Sequence, residues 1–505
     1  MASPNTPSRT RRWVAAVVIP LLAVVALVSW GFASPIGAGA DDDFHLASEW
    51  CGGLQAAGVC EPGDDDGERL LSEDIVWGAH CYSKQPEQSA VCQGDNIGDD
   101  LTEDLQATSR GNFEGLYPPV YYFVMSAFAG ENLQVSALAM RVFNALLFVG
   151  LMTTLFFLLP LRRRLTLVLP VVVTSVPLAM FYIPSNNPTG WALISAATLW
   201  IALLGYFETT GARRIALAAV AVVATVMGAG ARADSAIYSG VAVAAVVALT
   251  ATKSRAYLLS LVFPALLAVG ALVALLSASQ VSAISEGLGS DTVSDKSPLA
   301  LLAGNLLDLP YLLFGSFGLW PLGWLDTGLP TLVAFCTILA FVVALSVALR
   351  FPNRRRFWVL LGLVALFAAV PMYLLLRSRA VIGEEVQPRY ILPLLIVACG
   401  VALLRTRQTD FRLSRVQVLV IVGALAVANS IALRSNILRY VSGIDQDAAK
   451  QWWWHIPVPP MGMWFIGSAS FGLLLLALGV LLLKSQLPAP RDPALARTWE
   501  SVSAR

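Results

Sequence analysis

The sequence predicts an all-α polytopic membrane protein, on three observations. Of its 505 residues, 57% are hydrophobic and only 13% charged, about half the charged fraction of a soluble domain. Apolar runs recur from end to end, and at about 20 residues each can cross a hydrocarbon core of about 30 Å. The runs are continuous rather than alternating, which excludes a β-barrel. A mean hydropathy of +0.68 agrees.

Taken in order, about 12 transmembrane helices are expected, at 13–33, 135–160, 165–183, 189–207, 215–231, 236–252, 256–277, 330–350, 357–377, 390–405, 416–434 and 463–484. The first follows a basic start, has no convincing cleavage site, and reads as a retained signal anchor. Residues 299–318 are apolar as well, but Asn305, Asp308 and Pro310 argue for an interfacial helix instead.

Charge sets the expected topology. Basic clusters stand at Arg9–Arg12, Arg162–Arg164, Arg213–Arg214, Lys253–Arg255, Arg354–Arg356, Arg405–Arg415 and from Lys484 onwards. Acidic residues crowd Asp41–Asp43, Asp64–Asp66, Asp99–Asp104, Glu131 and Glu384–Glu385. The positive-inside rule then puts the tails 1–12 and 485–505 in the cytoplasm of a bacterial inner membrane. Three sizeable segments fall outside: 34–134, 278–329 and 435–462. Between them lie helices two to seven (135–277) and eight to twelve (330–484). Because the large loops are external, function is expected there too.

Of six cysteines, Cys51, Cys60, Cys81 and Cys92 lie in the first external loop, and Cys336 and Cys399 lie in spans. An oxidising compartment and the lack of Cys-x-x-Cys spacing favour two disulfides over zinc. Three connectivities are open, with sequential pairing preferred. Cys336 and Cys399 read as small apolar packing residues.

The sharpest chemical feature is Asp41-Asp42-Asp43-Phe44-His45, just past the first span. Adjacent carboxylates raise one another's pKa values and suit either proton acceptance or a divalent cation at Asp41–Asp43. His45 follows Asp41 by four residues, so a helical turn puts both on one face. The bland alternative is a solvated acidic flank. A second feature, Tyr117-Pro118-Pro119-Val120-Tyr121-Tyr122, opens an amphipathic stretch too short to span. Alone, it reads as an aromatic belt. Asn186-Asn187-Pro188 reads as a turn. Trp452–Trp454 reads as an interfacial anchor, with sugar or prenyl stacking the alternative at Trp453. Asp291 and Asp295 are placed in a loop, and Glu384 and Glu385 are possible partners of Arg389.

Together the acidic motif, the long loop, Tyr117–Tyr122 and an Arg-bearing second span (Arg141-Val142-Phe143-Asn144) resemble the GT-C glycosyltransferases. The likeness is to the branch whose motif reads Asp-Glu-Pro-x-His, matched at Asp41 and His45, with Asp42 in place of Glu and Asp43 in place of Pro. Gln387-Pro388-Arg389-Tyr390 is similar to that branch's Pro-Arg-Tyr signature, and the triplet is also similar to the Asp-Asp motif of actinobacterial arabinosyltransferases. The resemblance is strong over 13–160 and topological beyond.

It implies a GT-C-like bundle and an inverting transfer from a polyprenyl-phosphate-linked sugar donor to an envelope glycan or glycolipid acceptor. Asp41 or Asp42 would serve as base, with Asp43 and His45 beside them. Arg389, and after it Arg232 and Arg141, would hold the leaving phosphate. Tyr117, Tyr121, Tyr390 and Trp453 would contact substrate. For Arg232, a pair with Asp234 is the alternative.

Motifs of other chemistry are missing, including a P-loop, His-Glu-x-x-His and Gly-x-Ser-x-Gly. Three histidines (His45, His80, His455) make a multi-His metal site improbable, and no nucleic-acid signature stands out. A transporter or flippase for a lipid-linked sugar should carry ionisable residues at mid-span, where this sequence has almost none. A non-catalytic scaffold is the third reading, and it leaves the aspartates dispensable.

Overall fold

The computed structural model describes residues 9–78, 80–94, 97–279, 294–348, 353–383, 386–405, 412–444, 452–454 and 456–485. Asp291, Glu384, Glu385 and His455 lie outside them. The protein is an all-α polytopic membrane protein, with nine helices among the described residues long and apolar enough to cross a bilayer. Before the second crossing come α1 (Arg9–Phe32), α2 (Asp42–Trp50), α3 (Glu73–Trp77) and α4 (Val120–Ser126). The next group is α5 (Leu133–Leu158), α6 (Leu161–Thr174), α7 (Pro177–Tyr182), α8 (Thr189–Glu208), α9 (Gly211–Ala231), α10 (Ala233–Thr250), α11 (Arg255–Ser260) and α12 (Val262–Ser277). Then follow α13 (Pro298–Phe314), α14 (Thr331–Ala348), α15 (Arg354–Ser378), α16 (Pro388–Ala402), α17 (Arg415–Ser442) and α18 (Pro460–Ser485).

Helix α8 is apolar all round and nearly wholly buried, as a central helix must be. At the periphery, α12 and α15 expose Leu266, Val269, Leu276, Trp358 and Val364, the apolar side chains of a lipid-facing surface. The expected span at 165–183 is broken. Pro177 lacks an N–H and holds Val176 extended (φ −80°, ψ 161°), so α6 stops at Thr174 and α7 starts at Pro177.

Helix α17 runs past its expected end at 434. Its last turns are anchored by Arg439, which donates to the carbonyls of Tyr82, Gln85 and Gln88 and pairs with Asp326 at 2.7 Å. The interfacial reading of 299–318 meets a test of length, since Pro298–Leu319 could cross. Its contacts keep it on one face. Ser294 N donates to Arg379 O, Asn305 Nδ2 to Ala380 O and Ser316 Oγ to Pro388 O. Those partners close α15 and open α16. Beyond α13, Trp324 Nε1 reaches Gly37 O, just past α1. Both ends of α13 therefore lie at the face that carries residues 34–132, called here the loop face.

The segment between α1 and α5 is a small folded unit. Strands β1 (Glu61–Pro62), β2 (Arg69–Ser72) and β3 (Leu105–Thr108) form an antiparallel sheet in that order. Disulfides join Cys51 to Cys60 and Cys81 to Cys92, the sequential pairing. Cys336 and Cys399 are free and buried.

Candidate functional site

The chain leaving α1 is fixed by its own carbonyls. Arg141 Nη1 donates to Gly31 O (2.8 Å) and Ser34 O (2.6 Å), and Nη2 to Pro35 O (2.8 Å). Asn436 holds Ala33 O; Tyr82 and Gln93 hold Ile36 O; Trp324 holds Gly37 O; Tyr440 holds Ala38 O. Asn187 and Arg389 both donate to Ala40 O. Side chains from six separate parts of the chain thus satisfy a buried irregular backbone, which is what such a segment requires. The result is a rigid mount for the residue that follows.

That residue is Asp41, with left-handed backbone (φ 64°, ψ 14°) at the N-cap of α2. An aspartate tolerates this conformation better than most residues, but still at a cost. Its carboxylate is 44% exposed and pairs with the buried Arg389 guanidinium at 2.5 Å. Burial pushes its pKa up, but Arg389, reinforced by further positive charge, outweighs burial and holds it at about 2.

The other two aspartates go elsewhere. Asp42 is buried and turned back, accepting from Gly39 N (2.7 Å) and Asn187 Nδ2 (3.0 Å). Burial raises its pKa to about 6 against those hydrogen bonds. Asp43, also buried, takes both prongs of Arg110 from the end of the sheet unit. The triplet therefore does not converge into the cation site that its sequence suggests. Among the described residues no group of three or more His, Cys, Asp or Glu side chains could hold a metal ion.

Around Asp41 the site is cationic and aromatic. Arg389 also donates to the hydroxyls of Tyr182 (3.3 Å) and Tyr390 (2.8 Å). The Tyr390 ring takes two guanidiniums, Arg389 at 4.9 Å and Arg232 at 4.7 Å from its centroid. Arg232, buried where α9 turns into α10, pairs with Asp234 at 2.9 Å and lies over Tyr117 at 5.7 Å. The pair with Asp234 exists, therefore, and still leaves Arg232 inside the cluster. Burial pushes the Tyr117 phenol up to about 12, so it stays protonated.

Beneath lies a neutral network. The His45 N–H closes a helical turn on Asp41 O at 3.0 Å, so the two do share a face. Burial, against the pull of Asp41, lowers the imidazole pKa to about 3, and His45 is neutral. Its Nδ1 lies 2.8 Å from Tyr122 Oη. One turn on, Glu49 accepts from Tyr121 Oη at 2.7 Å, and burial raises its pKa well above the usual range.

The structure thus brings Asp41, His45, Tyr117, Arg232, Arg389 and Tyr390 together. It does not bring Arg141, whose donors go to carbonyls at the exit of α1 and to Asn186 Oδ1 at 2.6 Å. Nor does it bring Trp453, which is buried against Trp452 and Tyr440. Tyr121 packs below the site, and Asp42 and Asp43 are spent on neighbours. Asn186 and Asn187 do form the expected turn between α7 and α8, where Asn187 Oδ1 accepts from Thr189 N, and their buried side chains also brace Arg141 and Ala40. Sequence reasoning missed Arg110, Tyr182 and Glu49, and it singled out Tyr122 only as part of the Tyr117–Tyr122 motif. For Glu49 a signal existed, because it stands four residues after His45 on the same helical face.

A family model described as "Predicted membrane protein (DUF2142)" matches residues 22–398, most of the chain and all six of the residues brought together at this site. No curated protein and no solved structure matches. The chain belongs to the DUF2142 family of predicted membrane proteins.

Proposed function

We propose that this DUF2142 member is a glycosyltransferase. It moves a sugar from a polyprenyl-phosphate donor to an envelope glycan or glycolipid, at the outer face of a bacterial inner membrane, with the loop face outward. One observation carries the reading: a rigidly mounted, half-exposed Asp41 is in direct ion pair with buried Arg389, beside a second buried arginine.

Arg389 and Arg232 have the planar guanidinium geometry that matches phosphate oxygens. They lie on the Tyr390 ring and so offer one anionic group two cations. A carboxylate held at about 2 is a poor base. When the donor phosphate takes Arg389, Asp41 loses the partner that depresses it, and its basicity rises as the acceptor arrives. Asp41 then takes the acceptor hydroxyl proton, and the acceptor oxygen bonds to the anomeric carbon from the face opposite the phosphate. The carbon–oxygen bond to phosphate breaks, and the polyprenyl phosphate leaves as an anion on the two arginines. Neutral His45 and Tyr122 position α2 under Asp41.

The test is binding of a polyprenyl monophosphate to the purified full-length protein. Arg389→Gln should weaken it about tenfold or more, the value of a lost charge-assisted pair, while Asp41→Asn, which frees Arg389, should tighten it. Equal binding by all three proteins would refute the site.

A further inference from the structure

A second site lies at the opposite face. Arg162 and Arg163, at the start of α6, both pair with Glu208, at 3.3 and 2.5 Å. Arg164 does not. Its Nε is buried with no hydrogen-bond partner, and its guanidinium lies over Phe156 at 4.7 Å. Arg213, exposed at the start of α9, is close enough for its charge to act on Arg164. Neither arginine has an ion-pair partner among the described residues.

Arg164 and Phe156 close one end of a groove of about 410 Å³ between α1, α5, α6 and α18. Its lining is almost wholly apolar and includes Ala16, Ala23, Met152 and Leu478. Along α6 the lining runs from Arg164 to Ser175, and along α1 from Ala16 to Leu27. At 1.5 Å per residue each run is about 16 Å, about half of a 30 Å hydrocarbon core. That is the depth of one leaflet, with a cation at its headgroup end.

We propose that this groove is a specific phospholipid site. It holds one acyl chain of an anionic phospholipid from the leaflet on the Arg164 side, with the lipid phosphate on Arg164 and Arg213. Arg164 is half-buried: its guanidinium lies over the groove-lining Phe156 ring and its Nε is buried without a partner, while the rest of the side chain reaches the surface, where a lipid headgroup can meet it. The site is independent of Asp41, which lies at the far end of the same helices.

Native mass spectrometry of the full-length protein in detergent tests this, by titration with phosphatidylglycerol and with phosphatidylcholine of identical chains. Wild type should bind one phosphatidylglycerol about tenfold more tightly than phosphatidylcholine, as one charge-assisted contact allows. Arg164→Gln should erase most of that preference and Arg164→Lys should keep part of it. Ala23→Phe, filling the groove from α1, should weaken both lipids, with thermal unfolding as the check on folding. No headgroup preference in wild type would overturn the proposal, as would an Arg164→Gln protein that keeps the preference. Unchanged binding by a folded Ala23→Phe protein would overturn the groove.

Discussion

Arg141 separates the scaffold of this site from its chemistry. The guanidinium is buried and makes four hydrogen bonds, three of them to carbonyls at the exit of α1 and one to Asn186. A lysine offers three donors without the planar fork, so Arg141→Lys forfeits at least one bond. A buried hydrogen bond to a charged group is worth roughly 1.5–3 kcal/mol, and Arg141→Lys should destabilise by about 2 kcal/mol. Arg141→Met leaves all three carbonyls without that donor, at roughly 1–3 kcal/mol each. The total rivals the net stability of a typical protein, about 5–15 kcal/mol, so Arg141→Met should fail to accumulate in folded form. The assay is the unfolding midpoint of detergent-solubilised protein, followed by fluorescence-detected size exclusion. At a temperature where Arg141→Lys is folded, its polyprenyl monophosphate binding should equal that of wild type. A lysine variant with wild-type stability and lost phosphate binding would refute the assignment and make Arg141 a ligand contact.

Further outcomes follow from the same geometry. Asp42 has a folded pKa of about 6 against an ordinary 3.8, so the folded state binds the proton more tightly than the unfolded chain. Its contribution to stability is present below about pH 4 and lost as pH rises through 6, by roughly 3 kcal/mol; pH-dependent unfolding should show this fall, and Asp42→Asn should flatten it. Asp41 works in the opposite sense and lower, its contribution lost only as pH falls below about 4 toward 2. Glu49→Gln, the isostere of a protonated buried glutamate, should leave the unfolding midpoint nearly unchanged, whereas Glu49→Ala should lower stability by about 2–4 kcal/mol through a cavity and an unpaired Tyr121 hydroxyl. Each disulfide closes a loop of about ten residues, worth about 3 kcal/mol in the chain-entropy account. Reduction should therefore expose the 34–132 unit to protease while the helical bundle stays intact.

The spans were legible because lipid imposes a local rule: about 20 apolar residues with no unpaired backbone. Sequential disulfides were legible because the cysteines come as two near pairs. His45 over Asp41 was legible from the helical repeat alone. The break at Val176–Pro177 was signalled by its proline, yet apolar composition on both sides masked it. Partner choice was not legible. Asp41, Asp42 and Asp43 look equivalent in sequence, and they differ only because Arg389, Asn187 and Arg110 arrive from 348, 145 and 67 residues away. Arg141 and Arg389 likewise both sit in apolar helices. One meets a ring of carbonyls and the other a carboxylate and two phenols, and no local pattern distinguishes those surroundings.

The most direct test of the central claim is the linkage composition of envelope glycans in a deletion strain complemented at matched membrane levels. The complementing proteins are wild type, Asp41→Asn and Asp43→Asn, with the lipid-linked donor on the outer leaflet measured in the same samples. Transfer at Asp41 predicts that one sugar linkage disappears on deletion and returns with wild type. It should stay absent with Asp41→Asn while the donor accumulates outside, and return at least in part with Asp43→Asn. Restoration of the linkage by Asp41→Asn to the wild-type level would contradict the account and leave the acidic triplet a structural part of the loop.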